Sequence, residues 1–261
     1  GSGDYLDVAQ NAAFGFSTGD FSVEVWHYST NLSGNNAILD TRLSSGTGAG
    51  WVLNAFNTGA VNFYTGTDRT STTGIVKQST WNHYVVTRSG TTLRIFINGV
   101  LQGYFTGIST DFGSSNPLRI GFQQDSANYC VGYVTNIRLV KGSIPTTYQT
   151  SSTTVGTSIF TPPTTPPTTS SQGSSAPSFL MLATNAGIYD ATMNTEWHMS
   201  KVSGGTQNNV QVSTLPTKTG SGSIYFDGTA YQNLLPAQNY PQFTFGTNDF
   251  TIECWLYIIS K

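Results

Sequence analysis

Apolar and polar positions alternate along most of this chain with a period of two. The run Phe21 to Tyr28 puts Phe21, Val23 and Val25 on one face and Ser22, Glu24, Trp26 and Tyr28 on the other. Such alternation belongs to β-strands, whose successive side chains point to opposite sides. Bulk on both faces near the end of this run predicts a central strand. The stretch Trp81 to Gly103 predicts a three-stranded meander. His83 to Thr87 forms its first strand. Thr92 to Ile97 forms the second, half buried through Leu93, Ile95 and Ile97. Asn98-Gly99 turns the chain back into Val100 to Phe105, because a tight hairpin turn needs positive φ at both central residues.

Further strands are predicted at Tyr5 to Val8, Ala37 to Arg42, Trp51 to Phe56, Val61 to Thr65, Leu118 to Gln123 and Val131 to Val140. Beyond these come Phe179 to Ala183, Ser223 to Phe226 and Phe250 to Ile259. No sustained helical period with caps occurs. Short strands separated by turns roughly every 8–12 residues predict an all-β sandwich or barrel.

One segment departs from this pattern. No charged residue lies between Gly142 and Tyr189, and Thr161 to Thr169 reads TPPTTPPTT. Such a stretch is extended and excludes helix. It reads either as a spacer between modules or as an arm lying on the sandwich, anchored by Ile159 and Phe160. The expected organisation is a module over 1–143, this linker or arm over 144–178, and the start of a second module over 179–261.

A repeat supports the second module. Phe14 to Tyr28 (FGFSTGDFSVEVWHY) matches Phe243 to Tyr257 (FTFGTNDFTIECWLY), with Phe14 answering to Phe243 and Phe21 to Phe250 at one offset. A whole module recurs, not a short solenoid unit. The first module then lacks its opening strands, and an unpaired edge invites pairing. Strands between Phe179 and Phe226 are expected either to fill that gap, in this chain or a neighbouring copy, or to serve the next module. The opening Gly-Ser-Gly turn reads as the interior of a longer chain.

The chain resembles the laminin-G-like, concanavalin A-like jelly-roll modules. The resemblance rests on YFDGTAY at Tyr225, DFSVEVW and DFTIECW, WNHYVVTRSG, LRIFINGV and VTNIRLVKG. It implies an antiparallel jelly-roll β-sandwich with two sheets face to face. VTNIRLVKG followed by FTPPTTPP most resembles modules in structural proteins of tailed phages, particularly marine ones. That implies a place in a fibre, tail appendage or capsid decoration, on a virion or extracellular surface, among other copies of itself or virion proteins.

Composition narrows the function. Charged residues make up 9%, against about 25% in an average domain, and hydroxyls and amides replace them. The net charge of -2 points to neither nucleic acid nor an anionic membrane. No apolar run approaches the roughly 18 residues of a membrane span. Cys130 and Cys254 are expected to be free core residues.

Three chemistries have candidate residues in the chain. Glycoside hydrolysis needs two carboxylates about 5–5.5 Å apart for retention, but Glu24 and Glu253 each stand without an acidic neighbour on their strand. Glu24 is expected to pair with an arginine or a backbone donor, and the chain to be no enzyme. Calcium needs six to eight oxygens. Asp4, Asp40, Asp125 and Asp227 lie near predicted loops, with turn capping the competing role. Sugar binding would use an aromatic platform with a few polar groups. Its candidates are Asp40, Arg42, Trp51, Tyr64, Asp125 and Tyr129, while Trp26, Trp81, Phe96 and Trp255 read as core. Asn31-Leu32-Ser33 matches a weak glycosylation sequon. The expected function is a non-catalytic structural and adhesion module. Its rivals are a lectin module for host-surface glycans, with or without calcium; a glycanase; and a bacterial surface adhesin.

Overall fold

A computed structural model gives the architecture of the chain. It describes residues 5–42, 49–123, 128–173, 176–184, 187–190, 211–213 and 223–225, together with 247 and 251. The chain divides into two compact units, Gly1–Thr195 and Glu196–Lys261.

In chain order the strands of the first unit are β1 (Leu6–Asn11), β2 (Phe21–Ser29), β3 (Asn36–Asp40), β4 (Val52–Ala55), β5 (Val61–Tyr64), β6 (Asp68–Thr70) and β7 (Trp81–Ser89). They continue with β8 (Thr92–Ile97), β9 (Val100–Phe105), β10 (Asn116–Ile120), β11 (Gly132–Lys141), β12 (Phe179–Thr184) and β13 (Gly187–Asp190). In the second unit β14 (Gln211–Ser213) pairs with β15 (Ser223–Tyr225). The expected strand at Phe250 to Ile259 lies outside the described residues.

The first unit is an antiparallel sandwich of jelly-roll type. One sheet has six strands in the order β1-β10-β3-β4-β5-β6, and the other seven in the order β13-β12-β11-β2-β7-β8-β9. The β7–β8–β9 meander is present, and its turn has Asn98 at φ 52 and Gly99 at φ 82. β2 is central, between β11 and β7. Phe21 on its inner face meets Phe63 and Phe112 across the sandwich, and Trp51 stacks between Phe16 and Phe63. These rings are fully or almost fully buried, and each contributes about 1.5–3 kcal/mol of burial. Cys130 is free and buried in this unit, and burial pushes its thiol up to about 11.

Residues 142–173 cross the outer face of the seven-stranded sheet as an arm. Tyr148 packs on Val85, Phe96 and Leu101, with Ile144, Ile159 and Phe160 against the same cluster. Backbone bonds fasten the arm to the edge: Leu101 N–H donates to Thr157 O at 2.9 Å, and Ile159 N–H to Gly99 O at 2.9 Å. The arm returns over β11, where Arg138 Nη1 donates to Ser171 O at 2.7 Å. It then enters β12, which pairs with β11 through Ile137–Met181 and Leu139–Phe179.

Two expectations about burial change. β8 is not half buried: Phe96, on its outer face, is 0% exposed because the arm covers it. Trp81 is not core: it is 43% exposed, at the end of the same face that the arm leaves bare.

A Cβ added at Gly99 would strike the carbonyl oxygen of Phe160. Gly99→Ala is expected to cost about 1–3 kcal/mol for its left-handed backbone and to release the arm to protease. Gly90→Ala, also at positive φ but with open space around it, is expected to leave the arm resistant in the same digestion.

His27 is 0% exposed, with Nδ1 3.2 Å from Tyr84 Oη. Burial pushes its imidazole down from 6.5 to about 4. The unfolded chain therefore takes up this proton first as pH falls. The stability owed to neutral His27 is whole above pH 6.5 and is lost as pH drops towards 4, by about 3 kcal/mol at the full difference in pKa. Urea unfolding between these limits is expected to show a shallower pH slope for His27→Gln, which does not titrate.

Candidate functional site

Strands β11, β2 and β7 form the middle of the outer face. Their register sets successive rungs: Tyr133–Tyr28–Trp81, then Thr135–Trp26–His83, then Arg138–Glu24–Val85. A bulge makes the third rung possible. The β11 register shifts between Thr135 and Arg138, with Asn136 at φ 53. The extra residue brings Arg138 opposite Glu24; in an unbroken ladder Ile137 would occupy that place.

The third rung is covered. Glu24 Oε1 lies 2.9 Å from His83 Nε2, and Glu24 Oε2 accepts from Arg138 Nε at 2.8 Å. Tyr148 of the arm closes over this pair, with its hydroxyl 3.3 Å from Arg138 Nη2. Glu24, His83 and Arg138 are at most 1% exposed. Burial alone would push the Glu24 carboxyl up. The His83 hydrogen bond and the charges of His83 and Arg138 outweigh it, and the net direction is down. A carboxylate held ionised by two fixed donors is structural. It is the arginine-paired strand residue expected from the sequence, and it is not poised to give a proton to a leaving group.

The first rung is open. Trp81 is 43% exposed and Tyr133 63%, with Tyr28 half-buried between them. The ring centroids are 5.6 Å apart from Tyr28 to Trp81 and 5.8 Å from Tyr28 to Tyr133, with the planes at 63° and 65°. Half-buried Trp26 stands behind them, 4.8 Å from the His83 ring. Beside the row, Gln78 Nε2 donates to Thr30 O at 3.0 Å and Ser79 N–H to Ser29 O at 2.8 Å. An exposed strip of aromatic rings bordered by amides and hydroxyls offers both apolar faces and hydrogen bonds.

The residues singled out by sequence lie elsewhere. Asp40 and Arg42 form a buried ion pair at 2.8 Å. Arg42 lies over the Tyr64 ring, 5.5 Å from its centroid. Trp51 is 0% exposed in the inner core and donates through Nε1 to Phe14 O at 3.1 Å, so it has no free face for a sugar. Tyr129 stacks on Phe122 at 4.9 Å, and Tyr5 stacks on the same ring. Arg42 and Tyr64 are thus brought together and Trp51 is withdrawn. Asp4, Asp125 and Asp227 lie outside the described residues. Both Asp40 oxygens accept from Arg42, Oδ1 from its N–H and Nε and Oδ2 from Nη2. That carboxylate does not suit a calcium ion, and among the described residues no group of three or more His, Cys, Asp or Glu converges.

The sequence reasoning missed Tyr28, Trp81 and Tyr133. Tyr28 shares the parity of polar Ser22 and Glu24 on β2. An aromatic on the polar face of a strand was the available signal.

The family model of the concanavalin A-like lectin/glucanases superfamily, in its laminin-G form, matches residues 1–146. The chain belongs to this superfamily. No curated protein matches. Among solved structures, the chain is similar to a heptameric SAP-like pentraxin from Limulus polyphemus, with 12% identity over 54% of this chain and 71% of that one, and a TM-score of 0.44. It is similar to domains LG4-5 of the mouse laminin alpha1 chain, with 17% identity, 53% and 39% covered, and a TM-score of 0.42. It is also similar to the CBM40 of a Ruminococcus gnavus IT-sialidase bound to alpha2,3 sialyllactose, with 12% identity, 49% and 83% covered, and a TM-score of 0.36. No helix among the described residues is long and apolar enough to cross a membrane.

The buried triad of this laminin-G-like module makes a stability prediction. Arg138→Met leaves the Glu24 charge buried with one partner fewer and is expected to cost about 3–5 kcal/mol. Adding Glu24→Gln removes that charge and is expected to recover part of the loss. Chemical denaturation of the two single variants and the double variant measures the coupling.

Proposed function

We propose that this chain is a non-catalytic glycan-binding module and that Tyr133, Tyr28 and Trp81 form its binding surface. The observation that carries the reading is the exposed aromatic row on the part of the outer sheet left bare by the arm. Pyranose rings present C–H bonds on their faces and hydroxyls at their rims. Aromatic faces accept the first, and groups such as Gln78 and Thr30 suit the second. The Glu24 carboxylate, engaged by His83 and Arg138, supports the non-catalytic reading. The setting that fits is a display and adhesion unit on a virion appendage or another extracellular fibre. Its polar surface depends little on charge, and its binding to a host-surface glycan would change little with salt.

A glycan array, read with and without chelator, tests this. Binding is expected to be independent of chelation. Trp81→Ala and Tyr133→Ala are each expected to lower affinity at least tenfold, with the unfolding midpoint close to wild type because both side chains are substantially exposed. Bound sugar is also expected to alter tryptophan fluorescence in the wild type and to alter it less in Trp81→Ala. Uniform non-binding across the array would sink the reading.

A further inference from the structure

We infer that the cavity between the start of the arm and the far end of β7 and β8 is a second ligand site, and that it takes a carboxylated sugar through Arg94. It stands apart from the aromatic row and does not rest on the reading of that row.

The register gives its place. Thr87 and Ser89 of β7 have the parity of Trp81, and they pair with Arg94 and Thr92 of β8. All four therefore belong to the outer face. Thr87 stands six positions along β7 from Trp81, about 20 Å of strand. Val85, which Tyr148 of the arm covers, lies between them. Past this cover, those four residues, Asp20 and the arm over residues 142–151 line a cavity of about 750 Å³. That is the size of a site for a small organic ligand.

The cavity is polar. Arg94 is the one cation that lines it and Asp20 the one carboxylate, and only Ile144 and Tyr148 bring a large apolar surface. Arg94 is held without being neutralised. Its Nε donates to Ser152 O at 3.2 Å, and its guanidinium lies over the ring of Tyr104, its cross-strand partner on β9, 5.3 Å from the centroid. These contacts fix the guanidinium and leave Nη1 and Nη2 without a partner among the described residues. Arg42 and Arg138 are instead engaged by buried carboxylates, and Arg88 by backbone carbonyls.

Other hydrogen-bonding capacity here is also unused by the fold. Asp20 Oδ1 accepts from Gly90 N–H at 2.7 Å, while Oδ2 accepts from none of the described residues. Beside Thr87 on β2, Ser22 keeps a buried hydroxyl with no partner.

These groups choose the ligand class. A guanidinium with both terminal amino groups free matches the two oxygens of a carboxylate. The hydroxyls of Thr87, Ser89 and Thr92 and the open oxygen of Asp20 suit hydroxyl groups carried on the same molecule. Uronic and sialic acids combine both features. A phosphate dianion would face Asp20 with a single guanidinium to hold it. A neutral sugar would leave Arg94 unmatched, and an apolar acid would bury the hydroxyls without partners.

Titration calorimetry on the full chain tests this with glucuronate and N-acetylneuraminate as carboxylated sugars, glucose as the neutral control and acetate as the bare carboxylate. At least one of the two acids is expected to bind at least tenfold tighter than glucose and acetate, with an affinity that falls as salt rises. The tighter of the two names the sugar. Arg94→Gln is expected to lower that affinity at least tenfold, and Arg94→Lys, which keeps the charge and loses the fork, several-fold. Because Arg94 also holds Ser152, the same variants are digested with protease to show that the arm stays docked. Thr92→Val leaves Arg94 and its bond to the arm in place and is expected to weaken binding too. Equal affinity for glucose or for acetate would overturn the ligand class. Unchanged affinity in Arg94→Gln, or in Thr92→Val where Arg94→Gln releases the arm, would overturn the site. Loss of acid binding in Trp81→Ala but not in Arg94→Gln would move the acid to the aromatic row and overturn it as well. Binding of neither acid would overturn the inference and leave the reading of the aromatic row standing.

Discussion

The carboxylate of Glu24 sits on the outer face of a sheet that would otherwise face water, and much of the structure follows from its burial. Desolvating a carboxylate costs several kcal/mol unless charge and hydrogen bonds compensate. His83 lies diagonally across on β7, and Arg138 is brought opposite by the β11 bulge. The arm then finishes the enclosure with Tyr148 above and the Ser171 carbonyl on Arg138 Nη1. Without the arm, Val85, Phe96 and Leu101 would form an exposed apolar patch beside that ion cluster. Apolar burial and ion-pair burial thus depend on the same polar, uncharged stretch of chain.

That stretch also links the two ends of the sheet. The arm leaves β11, reaches the β9 edge at Val100–Ser158, and returns to deliver β12 beside β11. An unpaired edge at β11 would offer a row of free backbone groups. With β12 and β13 in place, that edge moves outward within the first unit.

The strands were legible where alternation was clean. Phe21, Val23 and Val25 on β2, and the Asn98-Gly99 turn of the meander, lie as the pattern reads. Ile159 and Phe160 likewise stood out, being large apolar residues in a Pro/Thr stretch that otherwise has little reason to dock. What the pattern does not contain is which part of an outer face receives a cover. Phe96 and Trp81 both sit on that face of the meander; one is under the arm and the other beyond its reach. Coverage depends on contacts more than sixty residues apart in sequence, as with Phe160 on Phe96. Trp51 illustrates the converse. It follows a Gly/Ser loop and reads as a loop-end residue, yet its ring closes the inner core against Phe16 and Phe63. The β11 bulge was illegible for a related reason: β11 residues Tyr133 and Arg138 have opposite parity in sequence, and only the extra residue puts both on the outer face.

The boundary between covered and bare surface falls on one rung. His83 faces Glu24 through Nε2 on its covered side, packs edge-on to Phe160 above, and lies tilted against Trp26 on its open side. Trp26 in turn stands next on β2 to Tyr28, the centre of the aromatic row. The row is therefore not a loose surface feature. Its central ring rises from the middle strand of a seven-stranded sheet whose next rungs are locked by a desolvated ion cluster. Aromatic contacts give a ligand surface at low entropic cost when the rings are already held. Placing the row on three paired strands, with a buried charge network as its backstop, supplies that rigidity without drawing on the loops, where insertions and sequence change are most easily tolerated.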